Sequence, residues 1–366
     1  MDSLDGLRGI AVLCVALSHM SHMHMTLLIP ALNFAGLGKF GVYLFFTLSA
    51  FLLTVPFYKR SVYELTAQTW TNYAFRRFTR IFPLFLIFLV ASVVLTSIGI
   101  PLPFNISLHD FWQHLMLRKG EGVLWSIPVE VTYYAVLPVL VLLCSFVLRR
   151  NLVVVGLVTL GLIGISRLVW NPLDAPANST NLGFYLPIFL SGSFAALVHY
   201  RLLQLELSKS VRLGLEVVSF ACITLVILLT PSLFSAWSGQ PFRYNRFHDL
   251  HTLFGVLWSV IIVTHLHGSG WLKRILCWAP LRLIGVVSFS FYLTHLPTLR
   301  VVRKLPFAGS IWDHVGGLVA LVLTFILSVG LYTYIEKPLI GLSLPTKKVG
   351  PVKSEDAMPG RKPIRS

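Results

Sequence analysis

Charge is what this sequence has least of. Only 12% of its 366 residues are Asp, Glu, Lys or Arg, roughly half the share of an ordinary soluble domain, which excludes a globule wetted on all sides. Acidic residues are the scarcer, 14 against 30 Lys and Arg, leaving a net charge of +16. Such an excess suggests a nucleic-acid partner, yet no basic stretch interleaved with aromatics lies in a polar context. The charges punctuate apolar runs instead, so no nucleic acid is expected. Cysteine is sparse too. Cys14, Cys144, Cys222 and Cys277 lie in or beside apolar segments without metal-ligand spacing and read as small core residues.

What the sequence has in abundance is apolar length: 55% of residues are hydrophobic and the mean hydropathy is +0.77. A hydrocarbon core of ~30 Å takes about 20 apolar residues in a helix. Reading apolar runs between polar breaks predicts an all-α, polytopic transmembrane bundle of about ten spans, at 7–30, 38–57, 81–99, 123–147, 151–169, 183–200, 213–230, 250–267, 283–299 and 311–335. With the N-terminus inside, most basic residues fall on the cytoplasmic side, and only Lys39, Arg118, Lys119, Arg167, Arg243, Arg246, Arg300, Arg303 and Lys304 fall outside. The positive-inside rule therefore places both termini in the cytoplasm. The first run carries Asp2 and Asp5, lacks a basic n-region and contains three histidines, so it is read as a retained span and not as a signal peptide. Residues 1–345 form the expected membrane domain, and 346–366, polar and without apolar period, a disordered cytoplasmic tail.

The first span is the most informative segment. Arg8 and His19 are eleven residues apart, which is three turns, about 20° of rotation and about 16 Å of rise, so they share a face. Asp5 lies near that face and pairs with Arg8 below an imidazole expected at mid-membrane. A lone intramembrane histidine often only bonds a neighbouring helix; its alternative role is proton acceptor or nucleophile. In the third segment Arg76, Arg77 and Arg80 are spaced to face one region. Such a cluster serves topology, or holds phosphates through forked donors that do not deprotonate. Glu130, a turn into the fourth span, either complements the helix dipole or faces a polar pocket, with Tyr133 and Tyr134 at i+3 and i+4 beside it. The pairs His22/His24 and His265/His267 point about 200° apart on a helix, poorly placed for one metal, and no metal site is expected.

These segments carry a specific resemblance. The run Leu4-Asp-Gly-Leu-Arg-Gly-Ile10 with His19, and the run Gly41-Val-Tyr-Leu-Phe-Phe-Thr-Leu-Ser-Ala-Phe-Leu-Leu53, resemble the bacterial acyltransferase 3 family of integral-membrane acyltransferases. So do Phe75-Arg-Arg-Phe-Thr-Arg-Ile-Phe-Pro83, Leu124-Trp-Ser-Ile-Pro-Val-Glu130, Phe291-Tyr-Leu-Thr-His-Leu-Pro297 and Tyr334-Ile-Glu-Lys-Pro338. Ala50 stands where the family usually has glycine, and the hydrolase-like extra domain of some members has no counterpart in these residues. The resemblance implies transfer of an acyl group, most simply acetyl, from a coenzyme A thioester to a hydroxyl of a glycan, glycolipid or related acceptor. No permanently bound cofactor is implied. The expected site comprises His19 and Glu130 as catalytic groups, Arg8, Arg76, Arg77 and Arg80 at the donor, and Ser126, Tyr133 and His295 at the acceptor. The expected location is the bacterial inner membrane, among its lipids. A secondary transporter with an intramembrane His/Glu/Arg proton relay is the rival reading; it calls for paired, interrupted helices in two halves, a correspondence the sequence does not display.

Overall fold

The computed structural model describes residues 2–25, 33–100, 104–305 and 310–342; the tail expected at 346–366 lies outside the described residues. Among those described there are helices and no strands. In chain order they are α1 (Asp2–His22), α2 (Leu37–Tyr58), α3 (Ala67–Ser97), α4 (Leu108–Leu115), α5 (Ser126–Leu142), α6 (Leu152–Val169), α7 (Leu186–Leu202) and α8 (Lys209–Leu228). There follow α9 (Pro231–Ser238), α10 (Arg246–Asp249), α11 (His251–His267), α12 (Trp271–Leu276), α13 (Ala279–Val286), α14 (Ser288–Arg303), α15 (Ser310–Leu331) and α16 (Lys337–Ile340).

All ten apolar runs fall on helices, but not all those helices have membrane-crossing length. Among the described residues seven are long and apolar enough, or eight if α13 and α14, bent by 83° at Val287, count as one. α7 and α11, at 17 residues each, are the exceptions. Their buried faces include Ile188, Phe189, Ala196, Phe254, Ile261 and Ile262, so their apolar character serves helix packing as much as lipid. Apolar side chains do face outward on α6 and α8, where Leu157, Leu160, Leu168 and Val217 are exposed, as expected of a surface solvated by lipid.

The element bounds alter one expectation. α1 starts at Asp2 and ends at His22, whereas the hydropathy run reached residue 30; residues 26–32 lie outside the description. His19 thus sits in the last turn of its helix, not at its middle. α3 likewise starts at Ala67, capped by the Thr66 side chain on the Thr69 N–H, so Arg77 and Arg80 ride on the helix and not on a segment before it.

α1 and α2 form the centre and run antiparallel, with Gly38 against Ser18 and Gly41 against Ala11 and Val15. On the other side of α1, Gly285 of α13 lies so close that a methyl group there would fall on the Asp5 carbonyl oxygen. Such small-residue contacts are how helices approach where lipid offers no hydrophobic drive. At Ala50, where the family usually has glycine, the helices still approach closely: its Cβ is fully buried opposite Gly192 of α7, which supplies the space a glycine at 50 would have given.

Candidate active site

Between α1, α2, α3, α5 and α14 lies a cavity of about 230 Å³. Its cationic wall is Arg8, Arg77 and Arg80; its polar lining includes Ser49, Ser126, Glu130, Tyr134, Ser288 and Tyr292, and Phe45, Phe46 and Leu52 are among its apolar residues. The packing explains why these side chains converge. Gly9, against Leu281, and Gly285, against Asp5, press α13 onto α1, which fixes the turn carrying Arg8 where α13 bends into α14.

The arginines differ in their pairing. Arg8 has Asp5 one turn away, N to O 3.9 Å, a loose version of the pair expected from the spacing. Arg77 and Arg80 have no carboxylate within salt-bridge reach among the described residues, and the buried Nε of Arg77 has no hydrogen-bond partner. Three cations and one carboxylate, Glu130, line this cavity, an excess of positive charge suited to an anion from outside. Arg76 is exposed and does not line the cavity. The i,i+3 pair Arg77 and Arg80 lines the cavity, whereas Arg76, four residues before Arg80, does not; helix packing admits only two of the three guanidiniums.

Glu130 is held by two hydroxyls on one oxygen. Ser49 Oγ donates to Oε1 at 2.5 Å and Tyr134 OH at 2.7 Å. Of the two tyrosines expected to flank it, only Tyr134, at i+4, does so. Tyr133 is fully buried, stacks on Phe189 with ring centroids 4.2 Å apart and bonds to Ser193, and it is absent from the cavity lining. A step of 100° per residue separates i+3 from i+4 enough for one to face the cavity and the other α7.

His19 does not line this cavity. Tyr292 lines its end, and His295 follows three residues further along α14. The Tyr292 hydroxyl donates to Val123 O at 2.6 Å and accepts from Ser126 Oγ at 2.9 Å. Its ring packs on His295, centroids 5.8 Å apart, and His295 packs on His19 at 5.2 Å. Glu130 and His19 therefore occupy two stations separated by the Tyr292–Ser126 pair, and no bond from Glu130 orients His19. Ser126 lies at the boundary. His295 is fully buried, an address for a neighbour of His19.

Sequence reasoning did not single out Ser49 or Tyr292, although both stand inside the quoted motifs. Their signal was weak because a serine or tyrosine in an apolar helix most often bonds its own backbone or packs. Glu336, in the Tyr334–Pro338 motif, is buried and accepts from the backbone N–H and hydroxyl of Ser290 at the first turn of α14. It fixes the helix end that begins at the cavity.

The family profile described as an acyltransferase domain matches residues 1–333. Among characterised sequences, the chain is similar to the putative peptidoglycan O-acetyltransferase YrhL of Bacillus subtilis, 24% identical over 370 residues, covering 93% of this chain and 55% of that protein. It is similar to the peptidoglycan O-acetyltransferase OatA of Listeria monocytogenes, 26% identical over 372 residues, 93% and 56%. With the O-acetyltransferase OatA of Staphylococcus aureus it shares 24% over 380 residues, 93% and 57%. The chain thus spans little more than half the length of these relatives. No solved structure matches it.

Proposed function

The chain belongs to the acyltransferase 3 family, and on that premise we propose that it is an integral-membrane O-acyltransferase moving an acetyl group from a coenzyme A thioester to a hydroxyl of a glycan or glycolipid. The relatives' names supply the choice of acetyl and of a glycan. The observation that carries the donor assignment is the pair Arg77 and Arg80, without carboxylate partners and turned to the same cavity as Arg8. A nucleotide thioester brings phosphates to match them, and a thin pantetheine arm able to pass along α14 toward His19. From Ser288 at the cavity to His295 is seven residues, about 10 Å of helix rise.

At His19 the acceptor oxygen attacks the thioester carbonyl carbon, the hydroxyl proton passes to the imidazole, the C–S bond breaks, and the thiolate leaves with that proton. Transient acylation of His19 is the alternative, and general-base catalysis is the reading we favour. Glu130, tied to Ser49 and Tyr134, holds the donor arm near Ser126 and Tyr292. We further read the chain as ten spans in the bacterial cytoplasmic membrane with both termini inside, so that the arginines face the cytoplasmic donor. The test is acceptor-linked acetate, released by mild base from membranes holding the parent or His19→Ala. The variant is expected to fold and insert, and to leave no ester; acetylation at the parent rate refutes the assignment.

A further inference from the structure

His295 carries a geometry that fixes which of its nitrogens is free. Its Nδ1 lies 2.7 Å from the carbonyl oxygen of Tyr292. A carbonyl only accepts, so Nδ1 bears the hydrogen, and in the neutral ring Nε2 presents a bare lone pair. That atom is buried, in a side chain with no exposed surface, and it has no hydrogen-bond partner. A buried acceptor without a donor is an uncommon arrangement that asks for a use.

The ring that faces it is His19, centroid to centroid 5.2 Å and tilted by 41°. The same molecule shows what such a spacing allows: His199 and His267, with centroids 4.9 Å apart, join Nδ1 to Nε2 at 2.9 Å. His22 is the other imidazole near His19, but its centroid stands 6.4 Å away, and its own Nδ1–H is given to Ser18 O at 2.7 Å. The centroid spacing of His19 and His295 is close to that of the bonded pair, so an N–H···N bond between them calls for a change of ring orientation and not for a movement of helices.

We propose that His295 is the positioning residue for His19: its Nε2 accepts the N–H of the His19 ring and so presents the opposite ring nitrogen, lone pair outward, to the acceptor hydroxyl. This rests on the reading of His19 as the base. Tyr292 then has two roles in one residue, its hydroxyl closing the end of the donor cavity and its carbonyl setting the tautomer of His295. The arrangement works as the buried partner of a catalytic histidine does elsewhere, by holding tautomer and angle without touching substrate.

The test uses the full chain in inside-out membrane vesicles supplied with radiolabelled acetyl-coenzyme A, reading ester-linked acetate on the vesicles' own acceptors. His295→Leu removes the acceptor nitrogen; His295→Gln sets an amide oxygen near the place of Nε2; His295→Asn reaches only the place of Nδ1. The expected result is a fall in kcat of about tenfold or more for Leu and Asn, the factor a single hydrogen bond to a developing charge commands. KM for acetyl-coenzyme A stays unchanged, and Gln restores most of the rate. Combining His295→Leu with His19→Ala adds no further loss. Leu and Gln variants that both work at the parent rate overturn the proposal, as do Gln and Leu variants equally impaired with lowered melting temperatures, which would mark a packing role. If Leu does not fold, the comparison of Gln with Asn decides in the same way. Should His19→Ala keep the parent rate, the base assignment has failed and this inference with it; a required His19 beside an indifferent His295 refutes this inference alone.

Discussion

Exchanging Arg77 and Arg80 for lysine separates charge from geometry at the donor cavity. Both side chains line it, neither has a carboxylate partner among the described residues, and the Nε of Arg77 is buried without a bond. Lysine keeps the positive charge that orients the helix but loses the planar fork that grips a phosphate through two parallel bonds. One hydrogen bond to a charged group is worth roughly 1.5–3 kcal/mol, so each exchange is expected to weaken coenzyme A binding about ten- to a hundredfold at moderate salt. The protein without ligand tells the complementary half. Because neither guanidinium makes a hydrogen bond or salt bridge among the described residues, and lysine keeps the charge, the melting temperature of the double variant should match the parent, while the stabilisation added by coenzyme A should shrink with the affinity. Calorimetry on the purified chain in nanodiscs measures the first quantity and thermal melting with and without coenzyme A the second. Equal dissociation constants for parent and double lysine variant would refute the reasoning and move the donor site to Arg149 and Arg150 or to Lys273 and Arg274.

Glu130→Gln keeps the size of the side chain but weakens what Ser49 and Tyr134 donate to; coenzyme A binding and transfer should both fall, transfer at least tenfold, and unaltered binding and turnover in vesicles would remove Glu130 from the donor site. Gly285→Ala drives a methyl group onto the Asp5 carbonyl, so α13 must leave α1; the cost is a few kcal/mol, visible as lost folded yield and a lowered melting temperature, and normal melting would contradict the packing. The pKa of Asp110, in the first turn of α4, is held down to about 2 by bonds from Lys119 and Ser107. Its folded value lies below the ordinary carboxylate value near 3.9, so its contribution is complete above that value and lost only as pH falls toward 2. Hydrogen-exchange protection at the start of α4, taken relative to the intrinsic rate at each pH, should therefore be the same at pH 7 and pH 5, and a marked loss of protection at pH 5 would deny the pairing. A reporter fused after Ser366 should read cytoplasm and one near Asn178 the outer side, and the reverse pattern would invert the donor path.

The sequence by itself determined the class of molecule: the apolar runs, the scarcity of charge and the motifs from Leu4 to Pro338 are local properties, written in composition and spacing. It also placed Arg8 and His19 on one helical face, because 3.6 residues per turn is a property of the backbone alone. Which helices have crossing length was not legible, since hydropathy does not separate a helix apolar toward lipid from one apolar toward its neighbours, as α7 and α11 illustrate. Nor was the division of the site. Arg76 and Arg80 share a face by spacing, and Tyr133 and Tyr134 both stand near Glu130 by spacing. Yet Arg76 faces outward, and Tyr133 turns to Ser193, because the neighbouring helices decide which part of a face is cavity. The separation of Glu130 from His19 by Tyr292, and the meeting of His19 with His295 across 276 positions of chain, belong to the tertiary structure alone. Helical period relates residues only along one helix, and the relation between helices is set by close approaches such as Gly285 on Asp5, a contact with no local signature.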